Sequence, residues 1–197
     1  MITMNDIPLL HDHHPSRADA VKNRELLLET ARLLFAEHGV EAVSMSAIAE
    51  AAHVGKGTLY RHFESKATLC HALLDHEQRE LQERTFARLR TVTDPLDNLR
   101  WFLGQVVDFV WEHAPLLCEA THHERQRTLV DPAHWWWRQT IGALLVRLAP
   151  AKDIDYMADV LYIMLDAHTI WFQHQALGYD KTRIIDGLLD VLAKFVD

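Results

Sequence analysis

SMSAIAEAAHVGKGTLYRHFESK, running from Ser44 to Lys66, is the stretch on which the fold turns. Ile48, Ala49 and Ala52 recur at the spacing of one buried helix face, and Leu59 and Phe63 repeat that spacing after His53-Val54-Gly55. Two short helices joined by a tight turn follow. With Leu59 and Phe63 inward, the second helix presents Lys56, Gly57, Thr58, Arg61 and His62 on its other surface, with Tyr60 at the flank. Arg61 has the fork that pairs bidentately with guanine, Lys56 can reach a guanine edge or a phosphate, and Thr58 offers a methyl and a hydroxyl. Gly57 lets the backbone approach closely.

At these residues the chain resembles the helix-turn-helix of TetR-family transcriptional regulators, in which text much like VGKGTLYRHFESK forms the recognition helix and the start of the next. The resemblance covers roughly the first third of the chain. It implies an all-α protein with an N-terminal three-helix helix-turn-helix domain followed by a helical ligand-binding and dimerisation domain. It also implies phosphate contacts from Tyr60 and His62. Ser46, in the first turn of its helix, can donate to a phosphate, and Lys66 opens a helix whose free N–H groups attract one. His53 stands where the family pattern has Gly, and His is among the few residue types that tolerate a left-handed turn.

Around the motif the sequence supplies its supports. Leu27, Ala31, Leu34 and Phe35 form the stripe of a first helix over about 20–38, ended by Gly39. Ser44 is placed to cap the second helix, Gly55 the third and Ser65 the fourth, which runs to about Thr91. The expected organisation is an N-terminal arm over 1–16, the DNA-binding domain over 17–65 and the ligand-binding body over 66–197.

The net charge of −8 argues at first against a nucleic-acid partner, but from Gly55 to Lys66 the bases Lys56, Arg61 and Lys66 face Glu64 alone. Local charge decides. No run of about 18 apolar residues suggests a membrane span, and a cytoplasmic location is expected. Cys70 and Cys118 lack paired spacing, so no disulfide or zinc knuckle is indicated.

In the body, Asp94-Pro95 starts a helix expected to reach about His113, and Pro115 opens a separate segment carrying Cys118 and His122. Asp131-Pro132 starts the helix of Trp135, Trp136 and Trp137, of which at least one faces a cavity or partner. Met157, Leu161, Met164, His168, Trp171 and Gln175 make one seam along a helix over about 153–177, and a last amphipathic helix follows Thr182. The resemblance makes these closing helices the dimer contact. Candidate pocket residues are Trp101, Gln105, Asp108, Cys118, His122, Trp137, His168 and Trp171, suited to an apolar or aromatic effector.

The expected function is therefore a regulator, a repressor that binds a palindromic double-stranded operator as a homodimer and is released by a small-molecule effector. Neither a catalytic set, a cofactor nor a metal is expected. The alternative is a histidine-rich metal-binding protein or metal-responsive regulator, built on His11, His13 and His14 and on the pairs Cys118/His122 and Glu119/His123.

Overall fold

The computed structural model describes residues 18–121 and 132–196. Expectations at His11, His13, His14, His122, His123 and Asp131 fall outside those residues. Among the described residues the chain is all helix: α1 Ala18–His38, α2 Met45–Ala51, α3 Lys56–His62, α4 Lys66–Thr91, α5 Pro95–Thr121, α6 Pro132–Leu148, α7 Ile154–Met164, α8 Ala167–Gln175 and α9 Lys181–Val196. They form two compact units. One holds residues 18–77 and 115–121, the other 78–114 and 132–196.

The first unit is built on local signals. α1 ends at Gly39, whose φ of 82° is left-handed and whose N–H bonds the Phe35 carbonyl at 2.9 Å. One core joins Leu27, Ala31 and Phe35 of α1 to Ile48 and Ala49 of α2, Leu59 of α3, Phe63, Leu69 of α4 and Ala120 of α5. Neither α2 nor α3, at 7 residues each, is long enough to stand in water alone, so this core holds them.

In the second unit α5 buries Leu99, Phe102, Leu103, Val106, Val107 and Val110. From α6 come Trp136, Trp137, Ile141 and Leu145, and from α9 Ile184, Leu188 and Leu192. Polar ties bind the helices: Arg138 of α6 to Asp159 of α7, and Lys181 of α9 to Asp108 of α5 at 2.6 Å.

Two expectations are corrected. α5 does not stop near His113, and Pro115 opens no separate segment; it lies inside a helix of 27 residues. An interior proline forfeits one backbone hydrogen bond, here to the Trp111 carbonyl, and crowds that carbonyl. Pro115 is exposed, while Ala114, Leu117 and Ala120 on either side of it are buried, so burial keeps the helix running through. What falls at Pro115 is the division between the two units. The second correction concerns the single helix expected over 153–177, which breaks into α7 and α8. Asp166 leaves the helical conformation and accepts the Thr169 N–H at 3.0 Å, capping α8 instead of continuing α7. The apolar seam from Met157 to Gln175 is thereby interrupted.

Candidate nucleic-acid interface

The short helices of the first unit are set by their caps. Ser44 Oγ accepts the Ala47 N–H at 3.1 Å and starts α2. Ala52 closes it, and His53 turns the chain with φ 53°, the one left-handed non-glycine among the described residues. The Val54 N–H returns to the Ala49 carbonyl at 3.0 Å, so the turn is bonded through the backbone despite the missing glycine. Gly55 then enters α3 in extended conformation and caps it without a side chain. Ser65 Oγ accepts the Thr68 N–H at 3.1 Å and starts α4.

α3 is pinned by Leu59 and, just past its end, Phe63, both essentially inaccessible to water. Arg24 of α1 lies over the Phe63 ring, 5.4 Å from its centroid, and fixes the same corner from outside. Sequence reading missed this contact, which spans 39 residues of chain and has no local signature. With Leu59 inward, Lys56, Gly57, Tyr60 and Arg61 form one exposed face, flanked by half-buried Thr58, His62 and, on α2, Ser46. Lys56 and Arg61 are tied to no described carboxylate. A Cβ added at Gly57 would meet nothing within 4 Å, so the protein's own packing does not require glycine there.

Two residues of this set differ in state. His62 titrates below the ordinary histidine value, first because burial disfavours its charged form and then because Arg61 and Arg24 repel it. At neutral pH it is an uncharged hydrogen-bonding group. Lys66 is engaged: its Nζ lies 3.7 Å from Glu119 Oε2 and donates to the Glu41 carbonyl at 3.4 Å.

The residues expected to line a pocket are dispersed. Trp101 lies under Arg88, 5.0 Å from ring centroid to guanidinium carbon. Gln105 accepts from Arg84 at 3.0 Å, and Asp108 pairs with Lys181. Trp137 is core, edge-on to Phe109 with centroids 5.8 Å apart. His168 is half-buried on α8, Trp171 is exposed there, and Cys118 belongs to the first unit. None of these borders the cleft of about 570 Å³ along α7 to α9, whose walls include Met164, Gln173, Tyr179, Arg183 and Asp186. Of the three consecutive tryptophans, Trp136 and Trp137 are buried and Trp135 faces outward. No three His, Cys, Asp or Glu side chains converge on a metal-sized site, and no helix is long and apolar enough to cross a membrane, among the described residues.

Residues 27–73 match the family of bacterial regulatory proteins, tetR family. An HTH-type transcriptional regulator of Staphylococcus aureus is 46% identical over 61 residues, 31% of this chain and 33% of that protein. The chain thus matches about a third of the length of such relatives. FadR of Thermus thermophilus, a TetR-family repressor solved with lauroyl-CoA, superposes with TM-score 0.68 at 18% identity over 88% of this chain and 95% of its own. AibR, solved with isovaleryl coenzyme A and operator DNA, gives TM-score 0.58 at 22% identity over 84% and 95%. Residues 27–73 thus carry the match to the tetR family of bacterial regulatory proteins, and the chain as a whole has the fold of solved TetR-family regulators.

Proposed function

We propose that the chain is a ligand-responsive transcriptional repressor that binds a palindromic operator as a homodimer and lets go when a small apolar or aromatic molecule binds its body. The observation that carries this reading is the outward face of α3. Lys56, Gly57, Tyr60 and Arg61 are exposed together, on a helix held by Leu59 and Phe63, with no described carboxylate neutralising the two cations. Such a face enters a major groove with its geometry already set. Arg61 reads a guanine, Lys56 a guanine or a phosphate, and Thr58 a base edge or thymine methyl. Ser46, Tyr60, His62 and Lys66 hold the backbone.

Dimerisation through the closing helices is supported by large apolar side chains left in water on α7 and α8, Tyr156, Ile163 and Phe172, and by Leu177 just beyond. A dimer carries two recognition helices, so its operator is two-fold symmetric. For the effector, the body offers a cleft of about 570 Å³ along α7 to α9, with Met164, Tyr179, Ile184 and Leu188 in its walls. Because FadR was solved with lauroyl-CoA and AibR with isovaleryl coenzyme A, acyl-CoA thioesters are the first compounds to try. Effector release requires that the compound bind the DNA-free state more tightly than the DNA-bound one.

Selection of duplexes from a random pool by the full chain tests the reading. It should return a palindrome with half-sites about one helical turn apart. Recovery of no common sequence would refute it.

A further inference from the structure

α5 is one continuous helix: residues 95–114 belong to the body, and its last turn, with Glu119, belongs to the unit that carries α3. Glu119 is badly placed by local rules, because the C-terminal end of a helix is already partly negative and disfavours an acid. Its compensation is Lys66. The Lys66 ammonium sits 3.7 Å from the Glu119 carboxylate, with the two side chains only 18% and 21% exposed. At that burial the pair is screened far less than a surface pair. The Glu41 carbonyl takes a second hydrogen bond from the same ammonium. The carboxylate's field also reaches Cys70, one turn along α4. That thiol is pushed up to about 12, chiefly by burial and secondly by Glu119. Lys56 and Arg61 have no such tie to a described carboxylate.

We propose that Glu119 is a positioning residue for DNA binding: it holds the Lys66 ammonium against the protein and competes with the operator backbone for it. This rests on the DNA-binding reading above. A phosphate at the start of α4 gains the Lys66 charge only when the Glu119 contact is given up. The carboxylate at the end of α5 therefore lowers operator affinity without touching DNA.

The test uses the full chain, the duplex recovered from the random pool, and an unrelated duplex of equal length. Glu119→Gln should tighten binding to both duplexes by about threefold to tenfold at low salt, the range for releasing a half-buried ion pair. Lys66→Met should weaken both, and adding Glu119→Gln to Lys66→Met should change nothing further. Unchanged or weaker binding by Glu119→Gln overturns the proposal. So does equal tightening in the Lys66→Met background, which would mark a general charge effect. If Glu119→Gln does not fold, Glu119→Asp withdraws the carboxylate by one methylene and should tighten binding in the same direction by less. No tightening there also overturns it. Failure of the DNA-binding reading looks different: Arg61→Ala and Lys66→Met would each leave binding by the otherwise unaltered chain unchanged.

Discussion

Pro115→Ala tests the continuity of α5, on which the placement of Glu119 depends. Pro115 lies inside the helix with its ring exposed, so replacing it removes little packing. Alanine restores the N–H that can bond the Trp111 carbonyl and relieves the ring's clash with it. In a helix interior proline is about 3 kcal/mol less favourable than alanine. Against that, proline restricts the unfolded chain, and losing the restriction gives back about 1 kcal/mol. The net expectation is stabilisation by about 2 kcal/mol, or a Tm rise of about 4–8 °C for a chain of this size. Calorimetry at fixed protein concentration reads it, since self-association would otherwise shift Tm. Had Pro115 been the first residue of a separate helix, its missing N–H would cost nothing and alanine would lower stability slightly. An unchanged or lower Tm therefore refutes the continuous helix.

Gly57→Ala should separate folding from binding. Alanine is favoured over glycine in a helix by about 1 kcal/mol, and its Cβ meets nothing in the protein, so urea stability should rise while operator affinity falls. Affinity that holds or improves would remove Gly57 from the interface. For His62, the lowered folded-state titration means that the unfolded chain takes up a proton the folded one resists. The stability difference between the native chain and His62→Gln should thus be constant above about pH 6.5, the unfolded histidine value. Below it, as pH falls toward the lower folded value, the native chain should lose stability relative to the variant. A difference independent of pH between 5 and 8, in urea unfolding, would contradict the assignment. Cys70, buried and pushed up to about 12, should resist a thiol reagent at pH 8 while half-buried Cys118 reacts. Two equally fast thiols in the native chain would be the contrary result.

The helix-turn-helix was legible because its determinants are local. Ser44 caps within three residues, His53 tolerates the left-handed turn, and Leu59 and Phe63 mark the buried side of α3. Failures came where a local signal met a longer-range force. Pro115 reads as a helix start, but the buried residues on both sides carry α5 through it. Asp166 sits in an unbroken apolar pattern, and only its capping of Thr169 shows that the helix stops there. The partners of Gln105 and Asp108 were likewise out of reach of local reading, since Arg84 and Lys181 lie 21 and 73 residues away. Lys66 was visible as a helix-start cation, but Glu119 lies 53 residues further on, and no spacing rule joins them.

The central claim, that the outward face of α3 reads an operator, is tested most directly by salt-titrated binding of the native chain and Arg61→Ala to the selected palindrome and to a scrambled duplex. The native chain should prefer the palindrome, with log affinity falling linearly with log salt at a slope set by the phosphates contacted. Arg61→Ala should lose about 1–3 kcal/mol of discrimination per half-site. Equal preference for the palindrome with and without Arg61, or binding indifferent to salt, would contradict the account.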